Sequence, residues 1–112
     1  MLIRPADRIL QPSRHAGISK EVLIGRGILP NITQVAVSVL ETGQATELHS
    51  HPTMYEIYFV LEGEATYLID DREYEVASGD LLIVSPGALH RQTVTRGPHR
   101  IMYWGLETES QP

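Results

Sequence analysis

The chain has 112 residues, 42% hydrophobic and 21% charged, which is the size and composition of one ordinary globular domain and leaves no room for a second. A fold of this length buries about 65% of the surface its unfolded chain exposes, so it holds together without metal or disulfide staples. Nine Lys plus Arg against fourteen Asp plus Glu give a formal charge of -5, and cysteine is absent. Nucleic acid and membrane are therefore not expected partners, and disulfides, thiolate zinc sites and a cysteine nucleophile are excluded.

The amino terminus, MLIRPADRIL, holds Pro5, Asp7 and two arginines and so has no apolar run of signal-peptide length. No other stretch reaches membrane-spanning length, and the expected location is the cytoplasm. Residues 1–20 read as an N-terminal arm, because Pro5, Pro12 and Gly17 suit neither a helix nor a central strand. The arm is either a frayed terminus or an edge strand, laid on its own barrel or exchanged with a partner's. Leu2, Ile3, Ile9 and Leu10 favour docking.

From residue 21 to 106 the periodicity is two. Asn31–Leu40 alternates around Val35, Val37 and Val39, and Met54–Leu61 alternates Glu56, Tyr58 and Val60 against Ile57, Phe59 and Leu61. Ala65, Tyr67 and Ile69 precede a turn at Asp70-Asp71, and Tyr74 and Val76 follow it. Leu81–Val84, His90–Thr95 and Arg100–Gly105 complete a set of about eight short strands, the pattern of an all-β sandwich or barrel. Residues 107–112 read as a flexible polar tail.

Two segments carry chemistry. In GQATELHSHPTMYEIYFVLEG, Gly43 to Gly63, His49 and His51 stand two apart, so on an extended chain both imidazoles leave one face and can share one ion. Glu56 follows after the break at Pro52. In GDLLIVSPGALHRQTV, Gly79 to Val94, turns at Gly79-Asp80 and Pro86-Gly87 deliver a third imidazole, His90. His15 and His99 lie outside both segments and read as ordinary buried or surface histidines. The only lysine, Lys20, lies in the arm and reads as solvated.

These segments resemble the two motifs of the cupin superfamily. The first is a glycine, five residues, His-x-His, three or four residues, Glu, six residues and a glycine, matched at Gly43, His49, His51, Glu56 and Gly63. The second is matched at Gly79, Gly87 and His90, with Ser85 at its proline position and Val94 at its asparagine position. The motifs span about half the chain. The resemblance implies a double-stranded β-helix, the jelly-roll barrel of the cupin type, and implies that His49, His51, Glu56 and His90 are metal ligands.

Three imidazoles and a carboxylate leave positions open on an octahedral ion and disfavour Ca and Mg, so one divalent transition metal per chain is expected, with Fe, Mn, Ni, Co, Cu and Zn all open. By alternation Tyr58 and Gln92 point into the same cavity, either as packing and ligand-orienting groups or as catalytic contacts to substrate. The expected function is a metal-dependent, dioxygenase-like enzyme on a small chelating organic substrate. An isomerase or lyase, and a metal-bearing binding or sensing module without turnover, are the alternatives. Ile57, Phe59 and Leu61 would form an apolar outer face, for which a second copy in a homodimer is the expected cover.

Overall fold

The computed structural model describes residues 1–109, so 110–112 of the expected tail lie outside the described residues. A 3-10 turn at Pro5–Asp7 is followed by seven strands: β1 (Ile9–Pro12), β2 (Ser19–Ile24), β3 (Ile32–Leu40), β4 (Met54–Ile69), β5 (Arg72–Val76), β6 (Leu81–Val84) and β7 (His90–Glu107). All pairings are antiparallel, in the order β1-β2-β3-β7-β4-β5, with β6 on the free side of β4. The expected jelly roll is the fold found. Among the described residues no helix is long and apolar enough to cross a membrane.

Two strands build both layers. The first half of β4 pairs with β6 and with the second half of β7, which in turn pairs with β3. The second half of β4 pairs with β5 and with the first half of β7. Each of these strands was expected as two separate ones, broken at Gly63 and at Gly97-Pro98. Pairing instead continues through register shifts between Val60 and Ala65. At that corner Gly63 has φ +80, and a Cβ there would meet the backbone of Arg96 and His99 at 2.7 and 2.8 Å. Only glycine lets the two backbones approach so closely in this conformation.

The bulges also change which residues face inward. Before the corner Glu56, Tyr58 and Val60 are buried, and after it Ala65 and Tyr67 are. On β7 the inward set is His90, Gln92 and Val94, then His99 and Ile101 beyond Pro98. One extra residue in a period-two strand exchanges its faces. The core lies between the layers, where Leu40, Val60, Tyr67, Val84, Val94 and Ile101 are almost fully buried.

The arm supplies an edge strand. Ile9–Pro12 pairs with Ser19–Val22 of the same chain, and its four residues are all exposed. It does not reach the outer face of β4, where Leu61 is 40% exposed beside β6 residues Leu81 and Ile83 at 55% and 54%. At the other end β7 runs to Glu107, one residue past the expected barrel boundary, and the Thr108 amide donates to the Thr53 carbonyl at 3.0 Å.

Candidate metal centre

Backbone pairing brings the histidines together. His49 and His90 exchange two backbone hydrogen bonds, of 3.0 and 2.8 Å, in an isolated bridge, so their side chains leave the sheet side by side with ring centroids 4.1 Å apart. His51 is tied to the Pro86-Gly87 turn by the Gly87 amide, which donates to its carbonyl at 2.7 Å. Glu56, paired with Val84 of β6 and Gly105 of β7, rises from the middle of the sheet beneath them. One ligand atom from each of His49, His51, Glu56 and His90 lies within 4.8 Å of the others.

The donor set fits a cation. Nδ1 of His49 lies 2.7 Å from the Glu47 carbonyl and Nδ1 of His90 lies 3.0 Å from the Ala88 carbonyl. A carbonyl only accepts, so both Nδ1 atoms carry the proton and both Nε2 atoms present lone pairs. Nε2 of His51 and of His90 sit 2.9 and 3.6 Å from the Glu56 carboxylate, yet neither completes a hydrogen bond, and both are sealed from water. Buried nitrogens without partners are costly, and a metal ion would satisfy both. The cluster can therefore hold a metal ion.

The electrostatics agree. Burial opposes ionisation of Glu56, but without an ion the close imidazoles of His51 and His90, when protonated at Nε2, and the Tyr58 hydroxyl outweigh it and hold the carboxyl far below its ordinary range. Burial lowers the pKa of His49, which keeps its imidazole neutral and available to a metal. At His90 burial acts in the same direction but is overcome by Glu56 and the Ala88 carbonyl, which raise the value.

Both inward polar residues expected from alternation border the cavity, and both are already engaged. Tyr58 donates a hydrogen bond to Glu56, and its own pKa is raised well above the usual phenol value by burial and by that carboxylate. Tyr58 thus stays protonated and fixes the carboxylate's orientation. The Tyr67 hydroxyl donates to Gln92 Oε1 at 2.6 Å and lies 3.1 Å from His99 Nε2, whose Nδ1 in turn faces the Glu62 carbonyl at 3.1 Å. Gln92 is thereby held from behind by a buried polar chain.

The cavity, about 600 Å³, opens on His49, His51 and Glu56 and is walled by Tyr58, Tyr103, Ser38 and Ile101. It also takes residues that sequence reasoning missed. His15 lies against His49, with ring centroids 4.6 Å apart, and Lys20 lines the wall instead of standing free in solvent. The arm places both, and only tertiary structure brings them to the site. Tyr103 lines the cavity because the β4–β7 register shifts change the inward phase of β7 between Val94 and His99, which no local pattern announces.

Residues 36–103 match the model of the family described as Cupin domain. An uncharacterized protein of Methanocaldococcus jannaschii is 35% identical over 80 residues, covering 66% of this chain and 64% of that protein, so the chain spans less than two-thirds of that relative. A predicted oxalate decarboxylase of Thermotoga maritima superposes with a TM-score of 0.84 at 19% identity, over 96% of this chain and 99% of that one. KdgF of Halomonas sp. does so with a TM-score of 0.81 at 12% identity, over 97% and 94%. At these identities the solved structures share the fold.

Proposed function

The chain belongs to the cupin family, and from its cluster of three histidines and one glutamate we propose that it is a metal-dependent enzyme acting on a small chelating organic molecule in the barrel. The observation that carries this reading is the pair of sealed Nε2 atoms on His51 and His90, aimed at Glu56 without hydrogen-bond partners. A bound Fe, Mn, Ni, Co, Cu or Zn ion would supply Lewis acidity at a substrate oxygen, or a place for dioxygen to meet a chelate. We place oxygen-dependent, dioxygenase-like cleavage first, and isomerase or lyase chemistry second.

The chain's own residues have separable roles in this scheme. Tyr58 keeps its proton and holds Glu56 in one orientation, while Tyr67 and His99 hold Gln92 at the cavity wall. Tyr58 stacks on Tyr103 with centroids 5.7 Å apart, and these rings with Ile101 exclude water from one side of the site. Two copies pair, in this reading, through the apolar outer face of β4 and β6.

Oxygen uptake and product analysis decide between the reactions. The substrates are diketones, catechols, flavonols, thiols and 2-oxo acids, each tried with Fe, Mn or Ni. Consumption of a substrate is expected, with Tyr58→Phe and Gln92→Ala retaining metal but losing about 10- to 100-fold in turnover. A molecule that binds at the metal and survives unchanged with every metal, with and without oxygen, would make the chain a binding module.

A further inference from the structure

The inner face of this barrel carries a lysine where packing alone would favour an apolar side chain. Lys20 on β2 shares the inward phase of buried Val22, and its Nζ donates to Gln34 Oε1 at 2.8 Å. Gln34 lines the same cavity from β3, at the register shift between Ile32 and Val35. Arg14, on the turn that also carries His15, lines the same cavity. Among the described residues neither Lys20 nor Arg14 has a carboxylate in ion-pair range. Burial is the main cause that lowers the Lys20 pKa, and the nearby Arg14 charge adds to it.

Of the other cavity charges, Arg26 likewise has no carboxylate in ion-pair range among the described residues, and the Glu56 carboxylate is engaged by His51, His90 and Tyr58. A chain with a formal charge of -5 thus lines the cavity that holds its ligand cluster with three cations lacking an ion-pair partner, half-buried Lys20 and the exposed Arg14 and Arg26, of which Arg14 acts on Lys20. A second observation comes from His15, next to Arg14, whose Nδ1 is buried without a hydrogen-bond partner. Because His15 rests against His49, the missing polar partner lies between Arg14 and the ligand cluster.

We propose, resting on the metal-dependent reading above, that the substrate is a small dianionic acid whose one end meets the His49, His51, Glu56 and His90 cluster while a carboxylate at the other end docks on Lys20 and Arg14. A planar carboxylate matches the guanidinium fork, and one ammonium completes its charge. A phosphate would call for a cradle of backbone amides, and the cavity wall on β2 and β3 is built of side chains whose backbone amides are committed to strand pairing.

The test is calorimetric titration of zinc-loaded and metal-free protein with malonate, succinate and glutarate, each against its monoamide, which keeps length and shape but loses one charge. At least one diacid is expected to bind about 10-fold or more tightly than its monoamide. Lys20→Met and Arg14→Gln should each lower that ratio, and the double variant should bring it to about 1, with zinc content unchanged. Lys20→Arg should restore the preference. Diacids that never outbind their monoamides, a ratio that survives in the double variant, or tighter binding of 3-phosphonopropionate than of succinate would overturn the proposal. Zinc content reads the metal separately: a chain that takes up no zinc but keeps the ratio overturns the metal reading alone.

Discussion

Replacing Tyr67 by phenylalanine removes one oxygen from the interior and leaves the ring where it is. That hydroxyl donates to Gln92 Oε1 at 2.6 Å and lies 3.1 Å from His99 Nε2, and Tyr67 and His99 are 1% and 0% exposed. Leaving a buried polar atom unpaired costs about 1–3 kcal/mol. The phenol proton goes to Gln92 Oε1, so the loss falls mainly on that acceptor, which is 7% exposed, and the total should be about 2 kcal/mol. A chain of 112 residues unfolds with an entropy of about 0.24 kcal/mol per kelvin at its midpoint, so Tm should fall by about 8 °C. Circular dichroism gives the Tm, and urea titration should show a lower midpoint at unchanged slope. Metal content should stay that of the wild type, since no ligand is touched. A Tm within about 2 °C of wild type would refute the claim that this hydroxyl closes a buried network.

His99 also makes stability depend on pH. Burial lowers its pKa below the ordinary 6.5, so on acidification the unfolded chain takes up a proton there before the folded one does. Its contribution is fully present above pH 6.5 and is lost as pH falls from there towards the folded value. The stability advantage of wild type over His99→Gln should therefore shrink between pH 7 and pH 5, by at most about 1.4 kcal/mol per unit, and an advantage constant with pH would contradict this. Gly63→Ala should destabilise by about 2–4 kcal/mol in urea, from its left-handed φ and its overlap with Arg96 and His99 backbone; a loss below about 1 kcal/mol would show that the corner can relax. Light scattering on a sizing column should give twice the chain mass, and Leu81→Glu with Ile83→Glu should give the single-chain mass; a single-chain wild type would end the proposed pairing.

Only part of the ligand cluster was legible from local geometry: His49 and His51 lie two apart, and Glu56 leads a strand whose alternation is unbroken to Val60, whereas His90 joined them through the resemblance to the cupin motifs and reaches His49 by a long-range backbone bridge. Strand continuity was not legible. Gly63 and Pro98 are usual strand breakers, yet here they sit in bulges that bend β4 and β7 while pairing continues, and each bulge exchanges the faces beyond it. Lys20 escaped for another reason. In Ser19–Ile24 both phases mix polar and apolar residues, so alternation could not say that Lys20 points inward with Val22. His15 reaches His49 only because the β1–β2 hairpin folds back over the barrel, a contact set by tertiary packing.

The most direct measurement is the transition-metal content of the purified protein beside that of a His49→Ala, His51→Ala double variant, with folding of both verified by circular dichroism. Four convergent ligand atoms within 4.8 Å predict about one equivalent per chain in the wild type. The variant, left with Glu56 and His90, should retain less than about a tenth of that. Equal metal content in the two proteins, or none in a wild type offered each metal in turn, would contradict the account.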